Sequence, residues 1–100
     1  MNTFIGIAWY EPSEWSQLRA IAPDRADLET THAEWLAIAE KGLADLRTAG
    51  YRPHRVPVKV AALQAWCDAI GCSPDADARA EYASAELRRL RESGLIDRDA

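Results

Sequence analysis

Tyr10, Glu11 and Ser13 bring a phenol, a carboxylate and a hydroxyl together in the stretch IGIAWYEPSEW, where an apolar run meets Pro12. Backbone amides exposed at the start of a helix favour anions, and loops beyond strand ends often hold ligands. The plainer role for Glu11 or Ser13 is to cap or line a first helical turn. A second polar group follows Tyr51, in which Arg52, His54, Arg55 and Lys59 form a basic interval, and Arg88, Arg89 and Arg91 form another. Brought together, such side chains would hold phosphate or an acidic surface. The candidate ligand-binding set is therefore Tyr10, Glu11, Ser13, His54 and Arg55. A site here requires Tyr10 and Glu11 to converge on one concave surface.

Catalysis finds less support. His32 and His54 are the two histidines, and their spacing pairs them neither with each other nor with a thiol. A nucleophile needs such a base beside it. Cys67, on the apolar side of a helical pattern, reads as a small buried hydrophobe. Cys72 precedes a helix start, where a thiolate is favoured, but it also reads simply as a turn residue. No two residues show the spacing of a metal site, and there is no glycine-rich phosphate cradle. No catalytic residue, metal ligand or cofactor is assigned.

Composition narrows the classes further. The 100 residues suit one domain. A formal net charge of −4 argues against general nucleic-acid binding, which needs a concentrated basic surface. No apolar run reaches the ~18 residues of a membrane span, and Met1 to Tyr10 lacks the marks of a secretory signal. Two cysteines without a framework spacing suggest reduced thiols and a cytoplasmic setting. The alanine- and arginine-rich helices have a bacterial flavour.

The elements that position these residues follow from apolar spacing. Thr3 to Tyr10 reads as a strand with apolar groups on both faces, and Gly6 within it permits close approach of another backbone or a large side chain. Glu11 to Ala22 reads as a helix with Pro12 at its first position and Trp15, Leu18 and Ala22 on one side. Thr30 to Gly50 is the clearest helix. Thr31 and Glu34 have capping-box spacing, Gly50 suits the C-terminal cap, and Trp35, Leu36, Ala39, Leu43 and Leu46 form one face beside Ile38. Gly42 within it suggests a close packing contact. Tyr51 to Val60 reads as a half-buried strand, with Val56, Val58 and Val60 to one side and Pro57 at an edge.

Val60 to Gly71 forms a third helix, with Leu63, Trp66, Cys67 and Ile70 inward. Ser73 to Ser93 forms a fourth, capped by Ser73 with Pro74 first, and with Ala80, Ala83, Leu87 and Leu90 inward and Tyr82 at the border. Leu95 and Ile96 are expected to dock, and residues 97–100 to fray.

The fold class is thus a compact single α+β domain in the order β-α-α-β-α-α, two strands packed by four helices. Two strands are few, and a sheet edge invites pairing. A homodimer that joins sheets or covers helices would relieve this. Four tryptophans exceed what a small core requires, so one or two at a groove would serve a protein partner. The leading expectation is a non-catalytic protein-interaction or homo-assembly domain. The alternative is a small-molecule-binding protein or small enzyme with its pocket near the end of the first strand.

Overall fold

Two parallel strands, β1 (Phe4–Trp9) and β2 (Arg52–Pro57), form the sheet in the computed structural model, which describes residues 3–94. The expected docking of Leu95 and Ile96 and the fraying of residues 97–100 lie outside the described residues. Helices α1 (Pro12–Ile21) and α2 (His32–Thr48) connect the strands, with a short 3-10 turn at Arg25–Asp27 between them, and α3 (Val60–Ile70) and α4 (Ala76–Glu92) follow. The order is β-α-α-β-α-α, with four helices packing two strands.

Local chemistry explains most element ends. Pro12 opens α1, where its missing N–H leaves no bond unmade. Thr31 and Glu34 form a full capping box: the Glu34 amide donates to Thr31 Oγ1 and the Thr31 amide to Glu34 Oε1, both at 3.2 Å. Gly50, with φ of 96°, turns the chain after α2, and the Tyr51 amide donates back to the Leu46 carbonyl at 3.0 Å.

Two boundaries differ from the sequence reading. Helix α4 begins at Ala76 and is capped by Asp75, whose side chain accepts from the Ala78 amide at 2.9 Å, so Ser73 and Pro74 lie before the helix. An acidic cap also faces the positive end of the helix dipole. Val60 belongs to α3, because Glu14 of α1 reaches across to accept from its amide at 2.6 Å and supplies the cap that Lys59 lacks.

The core lies at the carboxyl end of the sheet. Tyr10, Trp15, Leu18, Val58, Leu63, Cys67 and Tyr82 belong to one buried cluster, with Leu18, Leu63 and Cys67 fully enclosed. Aromatic rings continue it outward. Trp15 stacks on Trp35 at 5.2 Å, while Trp9 and Tyr10 meet Trp35 edge-on at 5.3 and 5.4 Å.

The inner faces need correction at several positions. Ile70 is 57 % exposed, Ala80 is exposed and Tyr82 is buried, so the inward face of α4 is turned toward Tyr82 from the face expected. Gly42 has no neighbour within 4 Å of a Cβ placed on it, so no close contact accounts for it. Gly6 does: a Cβ there would stand 2.7 Å from the Ala83 carbonyl oxygen of α4. Every residue of β1 is half-buried, not enclosed on both faces.

Candidate functional site

The five candidate residues fall at three places. Tyr10 is 4 % exposed and points into the core, while Glu11 and Ser13, just after it, are exposed at the start of α1. Burial pushes the Tyr10 phenol up to about 12, with Arg79 pulling it down and Asp24 pushing it further up. The Tyr10 carbonyl accepts from His32 Nε2 at 2.7 Å, taken with that nitrogen protonated. Tyr10 and Glu11 therefore take opposite environments. His54 and Arg55 lie on β2 and, as neighbours on a strand, face opposite sides of the sheet. His54 stacks on Phe4 at 5.0 Å, and the Arg55 guanidinium lies 4.8 Å from the Trp9 ring centroid.

The Cys67 thiol offers little for nucleophilic chemistry. Cys67 is fully buried, and its thiol is pushed up to about 11 by burial first and then by the neighbouring Cys72. A thiolate is the reactive form. Among the described residues, no group of three histidine, cysteine or acidic side chains is placed to hold a metal ion, and no helix is long and apolar enough to cross a membrane.

The strand edges are the second feature. The Arg52 amide donates to the Thr3 carbonyl at 2.8 Å and the Val58 amide to the Trp9 carbonyl at 2.9 Å. Backbone groups alternate in direction along a strand, so Phe4, Gly6 and Ala8 turn their N–H and C=O groups away from β2. On β2 the outward positions are Pro53, Arg55 and Pro57. Proline has no N–H, so the two prolines leave Arg55 as the sole donor among these three positions. The outer edge of β2 is thereby obstructed and short of donors, whereas β1 (FIGIAW) carries no proline, charge or bulge on its outer edge.

A groove follows this open edge. One depression of about 300 Å³ is lined by Gly6, Ile7 and Ala8 on one side, Ala76 and Ala80 of α4 on another, and Trp35 of α2. A second, of about 280 Å³, continues past Gly6 to Phe4, with Ser84 and Arg88 along its wall. Ala76, Ala80, Ser84 and Arg88 recur every four residues, so one exposed stripe of small side chains and one arginine runs beside the strand.

The sequence reading puts Pro57 at an edge and expects an edge to invite pairing; which edge is obstructed follows only from the parallel register. Two prolines at alternate positions of the second strand mark its blocked side once the strands are known to be parallel. Comparison of the chain with protein-family models, with curated proteins and with solved structures finds no match.

Proposed function

We propose that this chain is a non-catalytic homo-assembly domain in which two copies join their sheets through the outer edges of β1. The observation that carries this reading is the asymmetry of the two edges: prolines obstruct β2, while β1 leaves the backbone groups of Phe4, Gly6 and Ala8 facing a shallow groove. Closed two-fold assembly uses the same patch on both subunits. Antiparallel pairing about an axis at Gly6 sets Phe4 of one copy opposite Ala8 of the other.

Such pairing makes a four-stranded sheet from two strands that are marginal as a ribbon. It also explains Ala80, which has the apolar spacing of an inward residue yet lies exposed in the single chain. The added strand would cover it. The half-burial of every β1 residue fits a strand that becomes central on assembly. The setting we propose is a bacterial cytoplasm, on the alanine- and arginine-rich composition and on Cys67 and Cys72 as free thiols.

Native mass spectrometry and light scattering over a dilution series test the reading. The expected result is a two-chain species that dissociates on dilution. Ala80→Arg, on the exposed wall of the groove, is expected to give one-chain mass with unchanged circular dichroism. Ala8→Pro removes an outward N–H and is expected to do the same. A one-chain mass for the wild type at high concentration overturns the proposal, as does a dimer indifferent to both substitutions.

A further inference from the structure

The opposite end of the sheet from the core carries a concentration of positive charge, part of it on the wall of the β1 groove and part on the β2 side. Arg47 lies in the last turn of α2, Arg52 opens β2, and Arg88 and Arg91 close α4. The Arg91 guanidinium sits 3.9 Å from the Phe4 ring centroid and that of Arg52 sits 5.3 Å from it. His54 stacks on the same ring, its plane within 18° of parallel. Arg47, Tyr51, Arg52, Pro53 and His54 line a cavity of about 300 Å³ on the β2 side, away from the open edge of β1.

Three observations mark this end as suited to an anion. Two polar atoms here, His54 Nε2 and Arg91 Nε, are buried without a hydrogen-bond partner. Among the described residues, no carboxylate is paired with Arg47, Arg88 or Arg91, although the chain is acidic overall. The charged groups that bear on His54 are Arg52, Arg91 and Arg47, all cations, and with burial they hold its imidazole below the ordinary histidine range. A helix dipole explains one arginine at the end of its own helix. It does not explain why two helix ends and a strand start converge on one imidazole.

We infer that this cavity binds the phosphate group of a small phosphorylated compound, held by Arg47 and Arg52 beside His54. Guanidinium forks match phosphate oxygens in geometry, and several cations suit a dianion better than a single carboxylate. The Phe4 ring holds Arg52 in place before the ligand arrives, which reduces the entropy lost on binding. Tyr51, 43 % exposed beside the cavity, offers a ring on which the remainder of the ligand rests.

Inorganic phosphate and pyrophosphate are the probes. They are titrated into the full chain against sodium chloride at matched ionic strength, with the imidazole proton signals followed by NMR. The expected result is a saturable shift of the His54 signals, an upward move of its titration midpoint with ligand bound, and still signals from His32. Arg47→Gln is expected to weaken binding about tenfold, the loss of one charge-assisted hydrogen bond. Arg47 is exposed, so the fold is expected to survive the substitution. A His54 shift that rises linearly with phosphate, or that chloride reproduces, overturns the inference. So does an affinity unaffected by Arg47→Gln. Tighter binding of a short single-stranded oligonucleotide, with a salt dependence of several contacts, assigns the arginines to a nucleic-acid backbone and overturns the small-molecule reading.

Discussion

The Ala83 carbonyl oxygen of α4 stands 2.7 Å from where a Cβ on Gly6 would be, and Leu87 Cβ stands 3.2 Å from it. Strand β1 and helix α4 approach backbone to backbone at this point, and only glycine leaves the room. Gly6→Ala forces the helix away from the sheet and is expected to cost about 1–3 kcal/mol, the usual range for overpacking. Gly42 is the contrasting case. It lies inside α2 with open space around it, so Gly42→Ala is expected to stabilise the domain by about 0.5–1 kcal/mol through helix propensity alone. Thermal unfolding of the two variants checks both signs, since each kcal/mol moves the midpoint by about 4–8 °C in a domain of this size.

Glu14 and Val60 are 46 residues apart in sequence yet joined by one hydrogen bond, from the Val60 amide to Glu14 Oε1 at 2.6 Å. Lys59, the residue before α3, provides no side-chain cap, so Glu14 is what satisfies this amide. Its negative charge also faces the positive end of the α3 dipole. Glu14→Ala is expected to cost about 1–2 kcal/mol, the usual loss for a helix cap. Glu14→Gln keeps an acceptor and is expected to lose less. Urea unfolding of the two variants separates the hydrogen bond from the charge.

Contacts of this long-range kind mark the limit of what the sequence could show. The capping box at Thr31 and Glu34, Pro12 at a helix start and the turn at Gly50 rest on residues a few positions apart, and each was legible from spacing. The cap on α3 was not, because its acceptor comes from another helix. Ser73 and Pro74 formed a plausible helix start, but Asp75 places a carboxylate on the Ala78 amide and moves the start onward. Gly6 and Gly42 looked alike in sequence, and only the position of α4 distinguishes them. His54 was legible as a basic-interval residue. Its stacking on Phe4, and the approach of Arg47 and Arg91 from two helices, depended on tertiary packing.

Asp24 and Arg79 make a paired contact, with Arg79 Nη1 donating to Oδ1 at 2.8 Å and Nη2 to Oδ2 at 2.9 Å. It fastens the turn after α1 to α4. Hydrogen bonding from Arg79 holds the Asp24 carboxyl below its ordinary value. A lowered carboxyl pKa means the unfolded chain takes up the proton first. The stabilisation is therefore complete above the unfolded value near 3.8 and is lost as pH falls through the lowered folded value. Asp24→Asn is expected to cost about 1–2 kcal/mol at pH 6, less than a fully buried pair because both side chains keep some exposure. The gap between wild type and variant is expected to narrow in acid. Unfolding midpoints measured from pH 6 down to pH 3 check this, and a gap that stays constant would show that Asp24 contributes packing alone.

Tyr10 gives the opposite dependence at the alkaline end. Its phenol rises from 10.0 to about 12 in the folded chain, chiefly because burial opposes the charged form. The folded state therefore keeps a proton that the unfolded state releases. The corresponding stabilisation is fully present below pH 10 and is lost as pH rises through 12. Two units correspond to about 2–3 kcal/mol at most. Tyr82, also raised by burial, adds a smaller contribution of the same sign. Tyr10→Phe keeps the ring against Trp15 and Trp35 but removes the ionisable group. The wild type is therefore expected to lose stability between pH 9 and pH 11.5 well beyond the loss seen in Tyr10→Phe. Urea unfolding across that range, with tyrosinate absorbance near 295 nm followed in parallel, measures both quantities. Early tyrosinate formation in the folded protein with equal stability loss in the two proteins would place the Tyr10 hydroxyl in contact with water and remove it from the core.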